Sequence, residues 1–517
     1  MSGWKARYYM RHVRLLKRKR PLLTPPAAGE TATGLARVIT RDGHPISRSR
    51  ISPDALRVLY RLNEAGYQAF LVGGCVRDLM IGLEPKDFDV ATNARPEDVR
   101  RLFRNCRLVG RRFRLAHVFF GREIIEVATF RASSAPPPGD EPIIDDETDD
   151  SDESQLDAGQ DDEPQHDAHD ELPDATLEGR GVDVERVIDA HGRILRDNVY
   201  GSIDEDVWRR DFTANSLYYN IADFSVWDYC GGFEDVQARR LRLIGDPETR
   251  YREDPVRMLR AARFEAKLGF AIDEATAEPI ARLRQLMAGV PPARLFDETL
   301  KLFLTGHGVR SFEVLRARGL LEVLLPSIGE FVRRHPGSAP ERLLLRGLAN
   351  TDARVQSDRP VTPTYLFALL LYGPVGLEIE KMPRERWDDP ASIVDAVDAA
   401  VRAIYTRVAI PRRFSLGVRD MFALQPRLET PRGKRALRTL EHPRFRAAFD
   451  LLQLRAEFGM ADPAIVEWWQ RLQQSDPQQR ASMSEALGRE STDGPSTRRG
   501  GRRRRRGGRR PRGSSGA

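Results

Sequence analysis

Residues 71–93 read LVGGCVRDLMIGLEPKDFDVATN, and the alternation Asp87–Phe88–Asp89–Val90 inside them constrains the chain more than any other stretch. Side chains at i and i+2 of a strand share a face. Asp87 and Asp89 therefore project together, while Phe88 and Val90 turn the opposite way. Two carboxylates held side by side repel each other unless a cation sits between them, and Mg²⁺ is the natural candidate. Upstream, the apolar run QAFLV reads as a strand, and Gly73 and Gly74 follow it directly before CVRDLMIG resumes with helical character. A strand, a glycine pair and a helix start can make a phosphate site, because bare backbone lets N–H groups approach an anion. A glycine pair is equally the ordinary punctuation of a turn.

Neighbouring segments extend the pattern. PDALRVLYRLNEAG, residues 53–66, has the apolar spacing of a short helix that stops at Gly66. RLAHVFFG and EIIEVATFR read as two strands around a turn at Gly121–Arg122. In the second, Glu126 shares a face with Ile124 and Ala128, so it either meets water at a sheet edge or is held by a counterion. With Asp87 and Asp89 on a nearby strand, the expectation is a third carboxylate beside a metal. VWRRDFTANSLYYNI, residues 207–221, places apolar residues at roughly helical intervals after Arg209, Arg210 and Asp211. Asp211 there is either a helix cap or, next to paired arginines, part of a nucleotide contact. In YREDPVRMLRAARFEAKLGF, residues 251–270, Pro255 suits the first turn of a helix with Asp254 as N-cap. Arg257, Arg260 and Arg263 then form a slanting stripe. It reads as a surface ladder, or, since Met258, Leu259, Ala261 and Ala262 make the helix apolar nearly all round, as half-buried guanidinium groups that require anions or hydrogen-bonding bases.

The 517 residues, 40% of them hydrophobic, supply cores for roughly two to four domains. Cys75, Cys106 and Cys230 lie far apart with no CxxC spacing, so neither a disulfide framework nor a zinc site is suggested, and a reducing cytosol fits best. Residues 1–20 hold eight Lys or Arg without the apolar centre of a signal peptide, and no long apolar run follows. The expectation is a cytoplasmic protein with no integral membrane association. A net charge of +7 conceals segregation: seventeen acids and no Lys or Arg between Asp140 and Asp174, against ten Arg in residues 498–512. The Arg/Gly tail reads as a polycation for nucleic acid. The acidic block is either a solvated insertion or a screen for the basic surfaces. HDAHD, residues 166–170, has metal-ligand spacing but lies inside that block and carries little weight.

From residue 236 onward the pattern is helical, as in ARLFDETLKLFLTG and HPRFRAAFDLLQLRAEFG. The expected class is therefore α+β. A basic extension (residues 1–50) precedes a mixed α/β head (51–235, with an acidic disordered insertion at about 133–179). A helical neck (236–330), a helical body (331–475) and a disordered Arg/Gly-rich tail (476–517) follow.

LVGGCVRD, the DFDV pair, RRDFTANSLYYNI and EDPVRMLRAARF, in this order, resemble the class II branch of the nucleotidyltransferase superfamily, which holds tRNA CCA-adding enzymes and bacterial poly(A) polymerases. Within that branch FRNCRLVGRRFRLAHVFFG, LIGDPETRYREDPVRMLRAARF and PPARLFDETLKLF are similar to bacterial poly(A) polymerase I. The acidic insertion departs from the family pattern.

The resemblance implies a palm-like sheet in which Asp87 and Asp89 hold two Mg²⁺ ions between the α-phosphate of ATP and an RNA 3′-hydroxyl. Glu126 is a further candidate ligand and Asp211 the third acid of the site. Gly73, Gly74 and Arg77 would meet the triphosphate and Arg210 the sugar or a phosphate. Asp254, Arg257 and Arg260 would read the base edge. The implied partners are ATP and RNA 3′ ends, with RNA-decay machinery as a candidate. The implied reaction is template-independent poly(A) addition; the alternative is CCA addition to tRNA, which shares the head chemistry. A non-catalytic RNA-binding protein on the same fold is the third class, against which intact Asp87, Asp89 and Asp211 argue.

Overall fold

The computed structural model describes residues 36–110, 114–132, 200–387 and 389–490, together with strands Val187–Ile188 and Ile194–Arg196. The N-terminal basic run, the acidic block with its HDAHD, part of the GRRFRLAHV stretch and the Arg/Gly tail lie outside the described residues.

The head strands are β1 (Arg37–Ile39), β2 (Ala69–Val72), β3 (Asp89–Thr92), β4 (Cys106–Val109), β5 (Leu115–Phe120), β6 (Glu123–Thr129), β7 (Val187–Ile188), β8 (Ile194–Arg196), β9 (Leu217–Asn220) and β10 (Val226–Asp228). They form one sheet in the order β1-β10-β9-β2-β3-β6-β5-β4, with β7 and β8 pairing separately. Its neighbours are antiparallel except β3 and β6, which run parallel. Parallel strands need a crossover. Here the chain leaves β3 through a helix at Pro96–Leu102 and the β4–β5 ladder before returning as β6.

Strand β2 is buried along its whole length, as expected for a central strand. Phe70, Val72 and Ala91 pack with Phe130, Tyr218 and two residues of helix α1 (Ile203–Arg209), Ile203 and Val207. Ser202 starts α1 with a capping box, its hydroxyl accepting from the Glu205 N–H. The expected helix near residue 53 spans Pro53–Glu64 with Ser52 as N-cap, and CVRDLM lies in the helix Gly74–Met80.

Three boundaries differ from expectation. Arg37–Ile39 pairs with β10, so the sheet begins inside the stretch read as a basic extension. VWRRDFTANSLYYNI is not one helix: α1 ends at Arg209, a single 3-10 turn covers Thr213–Asn215, and Leu217–Asn220 is β9. Leu217, Tyr218 and Tyr219 are buried between β2 and β10, where aromatic side chains suit a strand better than a helix. The helix Pro477–Glu490 falls inside the stretch read as tail.

Beyond the head come helices α2 (Pro247–Glu253), α3 (Val256–Leu268) and α4 (Pro292–Phe303). A short parallel pair, Arg240–Leu241 with Ala271–Ile272, interrupts the otherwise helical run. Helix α3 stops at Gly269, which takes the left-handed φ of +68° that closes helices without a Cβ penalty. The chain divides into two compact units. One runs to Glu330 and adds Thr351–Pro360 and Ile404–Ala409. The other is helical in its described residues and is built around Pro363–Glu380, most of which is buried, and around Trp469, whose Nε1 donates to the Leu428 carbonyl at 2.7 Å. Among the described residues no helix is long and apolar enough to cross a membrane.

Candidate active site

Asp87 and Asp89 are exposed while Phe88 and Val90 are 8% and 0% exposed, so the alternation read from the sequence holds although β3 itself begins only at Asp89. The two acids open into a cleft of about 550 Å³. Gly73, Gly74, Arg77, Arg210, Asp211, Asp254, Arg257 and Arg260 line the same cleft, gathered from positions far apart in the chain. Lys86, Asn215, Phe264, Lys267, Arg294 and Glu298 are among the other lining residues, and sequence reasoning gave none of these a role. A signal existed for two of them, since Phe264 and Lys267 follow Arg260 at i+4 and i+7 on one helix face.

Asp89 carries the main electrostatic tension. It faces the open cleft, yet the walls around its carboxylate, and then the charges of Glu126 and Asp87, push its pKa from 3.8 to about 6, with Arg210 acting in the opposite sense. Glu126 is the register partner of Asp89 across the parallel strands, and its own pKa is raised, first by burial. Its carboxylate does not line the cleft. It sits 3.6 Å from Nε2 of His117, its register partner on β5. Glu126 thus stands next to Asp89 in register on one side and within reach of His117 on the other. Among the described residues no group of three or more His, Cys, Asp or Glu is gathered to hold a metal.

The glycine pair makes a turn and leaves bare backbone at the cleft. Gly73 has φ +80° and ψ −137°, and a Cβ built there would point toward Arg210, Asn215 and Asp89. The helix it opens is only seven residues long. Arg77 is 2% exposed, and its guanidinium is occupied: it donates to Asp78 Oδ1 through Nε and Nη2 at 2.9 and 2.7 Å and to Asn215 through Nη1. That side chain braces the turn against the Asn215 segment, a more structural position than the sequence suggested.

Asp211 is no helix cap, because the next helical turn, the 3-10 turn Thr213–Asn215, has Phe212 at its N-cap position and no side-chain cap. Arg260 holds its Oδ2 from Nη2 at 2.6 Å and Nε at 2.8 Å, and the Phe212 N–H donates to Oδ1 at 2.8 Å. Burial would raise the Asp211 pKa, but the Arg260 charge and these hydrogen bonds more than offset it and hold the carboxyl below its ordinary range. Arg210 is locked between Asp206 Oδ2 at 3.0 Å and the Tyr218 hydroxyl at 2.8 Å. Asp254 accepts from the Val256 N–H at 3.2 Å, close to the capping role expected of it, and its other oxygen takes Arg294 at 2.7 Å. Arg257 donates to the Arg250 carbonyl at 2.6 Å and pairs with Glu253 at 2.9 Å. Phe264 is clasped by Arg77, Arg260 and Arg263, with Arg263 closest at 4.7 Å from the ring centroid.

A mixed sheet carrying paired acids at the mouth of an arginine-lined cleft, with helices following it, has the form of a nucleotidyltransferase. The fold is shared with a solved tRNA-processing enzyme complex at a TM-score of 0.50 and 18% identity, covering 84% of this chain and 99% of that one. The sequence matches three family models: the poly A polymerase head domain over residues 69–242, the probable RNA and SrmB-binding site of polymerase A over 269–331, and the polymerase A arginine-rich C-terminus over 386–511. Poly(A) polymerase I of Escherichia coli O6:H1 is 46% identical over 485 residues, covering 92% of this chain and 94% of that protein. A CCA-adding enzyme of Bacillus velezensis is 31% identical but covers only 52% of this chain and 55% of its own. The chain belongs to the poly(A) polymerase I family.

Proposed function

We propose that the protein is a template-independent poly(A) polymerase that transfers AMP from ATP to RNA 3′ ends and releases pyrophosphate. The observation that carries this reading is the convergence of the Asp87–Asp89 pair with the guanidinium-bearing face of α3 in one cleft, in a chain so similar to poly(A) polymerase I.

Two divalent cations suit this donor set. Burial, and then the charges of Glu126 and Asp87, raise the Asp89 pKa, and a bound cation would relieve the repulsion. Mg²⁺ commonly uses one or two protein carboxylates and completes its shell with water and substrate phosphates. When bound by Asp87 and Asp89, Mg²⁺ supplies activation of the 3′-hydroxyl and charge stabilisation for the leaving pyrophosphate. Around the acids, the bare backbone of Gly73–Gly74 gives phosphates close approach, and Lys86 and Lys267 bring positive charge. Arg210, fixed by Asp206 and Tyr218, faces the sugar or a phosphate, while Arg77 holds the turn in place. Asp211 orients Arg260, and Arg257 and Asp254 present hydrogen-bonding groups to the base edge. RNA is drawn to the neck and the arginine-rich region through its backbone. The protein works in the cytoplasm and meets the RNA-decay machinery.

The test is incubation with Mg²⁺ and each NTP separately, on an unstructured RNA and on a tRNA lacking its terminal CCA. Long tails from ATP alone support the proposal. Short C- and A-containing additions confined to the tRNA would replace it with CCA addition.

A further inference from the structure

Arg250 joins the acid-bearing turn to the arginine-bearing helix. It sits on α2, does not line the cleft, and its side chain is 13% exposed. Nη2 donates to the Arg210 carbonyl at 2.7 Å and the Arg209 carbonyl at 3.2 Å, the two peptide oxygens immediately before Asp211. Nη1 pairs with Glu253 at 2.7 Å. In the other direction, the Arg250 carbonyl accepts from Arg257 Nη1, and the Glu253 oxygen that binds Arg250 also binds Arg257.

The chemistry of each contact favours arginine. The last carbonyls of a helix lack intrahelical partners and carry partial negative charge, so the end of α1 attracts a cation. A planar guanidinium reaches carbonyls on one side and a carboxylate on the other with fixed geometry, which the single ammonium of lysine does not reproduce. Nε is buried without a hydrogen-bond partner, a cost the fold bears for this placement. We infer that Arg250 is a positioning residue of the nucleotidyl-transfer site: it fixes the Arg209–Asp211 turn and the Arg257 guanidinium relative to each other. It thereby sets how the base is read without touching the substrate. This inference rests on the reading of Arg257 as a base-facing residue.

The test uses the full-length protein with Arg250→Ala, Arg250→Lys and Arg250→Gln, read in two ways. Hydrogen–deuterium exchange without nucleotide reports on peptides spanning residues 209–216 and 254–258. Steady-state kinetics give kcat and KM for ATP and CTP on an unstructured RNA. The expected result for Arg250→Ala is faster exchange in both peptides, a raised KM for ATP and kcat/KM lower by about 100-fold, the scale of a small misplacement of substrate-positioning groups. The ATP:CTP preference falls as well, and lysine restores little of it. A merely structural role would lower kcat with the folded fraction while leaving KM and the nucleotide ratio alone, and that outcome overturns the inference. Unchanged exchange in either peptide, or full rescue by lysine, also overturns it. If Arg250→Ala does not fold, Arg250→Gln is judged by the same two readings. Exchange is independent of nucleotide chemistry, so a failure of the poly(A) assignment would show separately, as a wild type that incorporates no AMP.

Discussion

Asp89 and Glu126 stand side by side as register partners across the parallel strands β3 and β6, and the Glu126 charge adds to the burial that raises the Asp89 pKa. The consequence for stability has an unusual sign. A carboxyl whose folded pKa lies above its unfolded value opposes folding when ionised. Metal-free protein therefore loses Asp89-linked stability as pH rises from about 3.8 to about 6, and the deficit persists above that.

Asp89→Asn should accordingly stabilise the metal-free protein at pH above that window and lose its advantage in acid. The gain should be about 1 kcal/mol, well below the full shift because the group faces solvent. Denaturant melts of both proteins in EDTA across pH check it. Mg²⁺ should reverse the order by stabilising only the wild type, and an unaffected wild type would count against the cation site.

Arg260→Ala leaves the Asp211 carboxylate buried with only hydrogen bonds to hold it. The loss should be about 2–3 kcal/mol at neutral pH, slightly under the range for fully buried pairs. Because the paired Asp211 has a lowered pKa, the stability it contributes is complete above the ordinary carboxylate range and disappears as pH falls through the lowered value. The mutant's deficit should thus shrink in acid. A deficit that stays constant from neutral to acidic pH would show that the pair contributes no charge-linked stability.

These relationships mark where the sequence was legible. The shared face of Asp87 and Asp89 follows from a strand period of two, and the stripe Arg257–Arg260 from a helical one, so both could be read locally. Glu126 reads as a neighbour of the acid pair from its apolar surroundings, but its register opposite Asp89 depends on β6 returning parallel to β3 through a crossover, which no local pattern encodes. RRDFTANSLYYNI misled because apolar spacing alone does not separate a helix from a turn followed by a fully buried strand. Its tyrosine pair, favoured in strands, was the available signal. Arg77 lines the cleft but is held there by Asp78 and Asn215, and the pairing with Asn215, distant in sequence, has no local signature.

Arg257→Ala should weaken discrimination between ATP and the other nucleotides more than it weakens triphosphate binding. A lost charge-assisted contact to a base is worth roughly 1.5–3 kcal/mol. Turnover of ATP and CTP by mutant and wild type gives the ratio directly. An unchanged ratio would mean that Arg257 only braces Glu253 and the Arg250 carbonyl.

Gly73→Ala isolates backbone strain from crowding. The nearest atoms to the new Cβ are Arg210 Nη1 at 3.9 Å and Asn215 O and Asp89 Oδ2 at 4.0 Å, ordinary contact distances. The cost should come from φ +80° alone, about 1–3 kcal/mol. Chemical denaturation measures it, and a neutral substitution would mean that the turn relaxes freely.

The central claim is that Asp87 and Asp89 together carry metal-dependent AMP transfer to RNA. Incorporation of labelled ATP into an unstructured RNA in Mg²⁺ should be abolished in Asp87→Ala and in Asp89→Ala. Each variant should keep the wild-type circular dichroism and a stability unchanged or slightly raised, because removing one acid relieves repulsion. Either variant turning over at the wild-type rate would contradict the account.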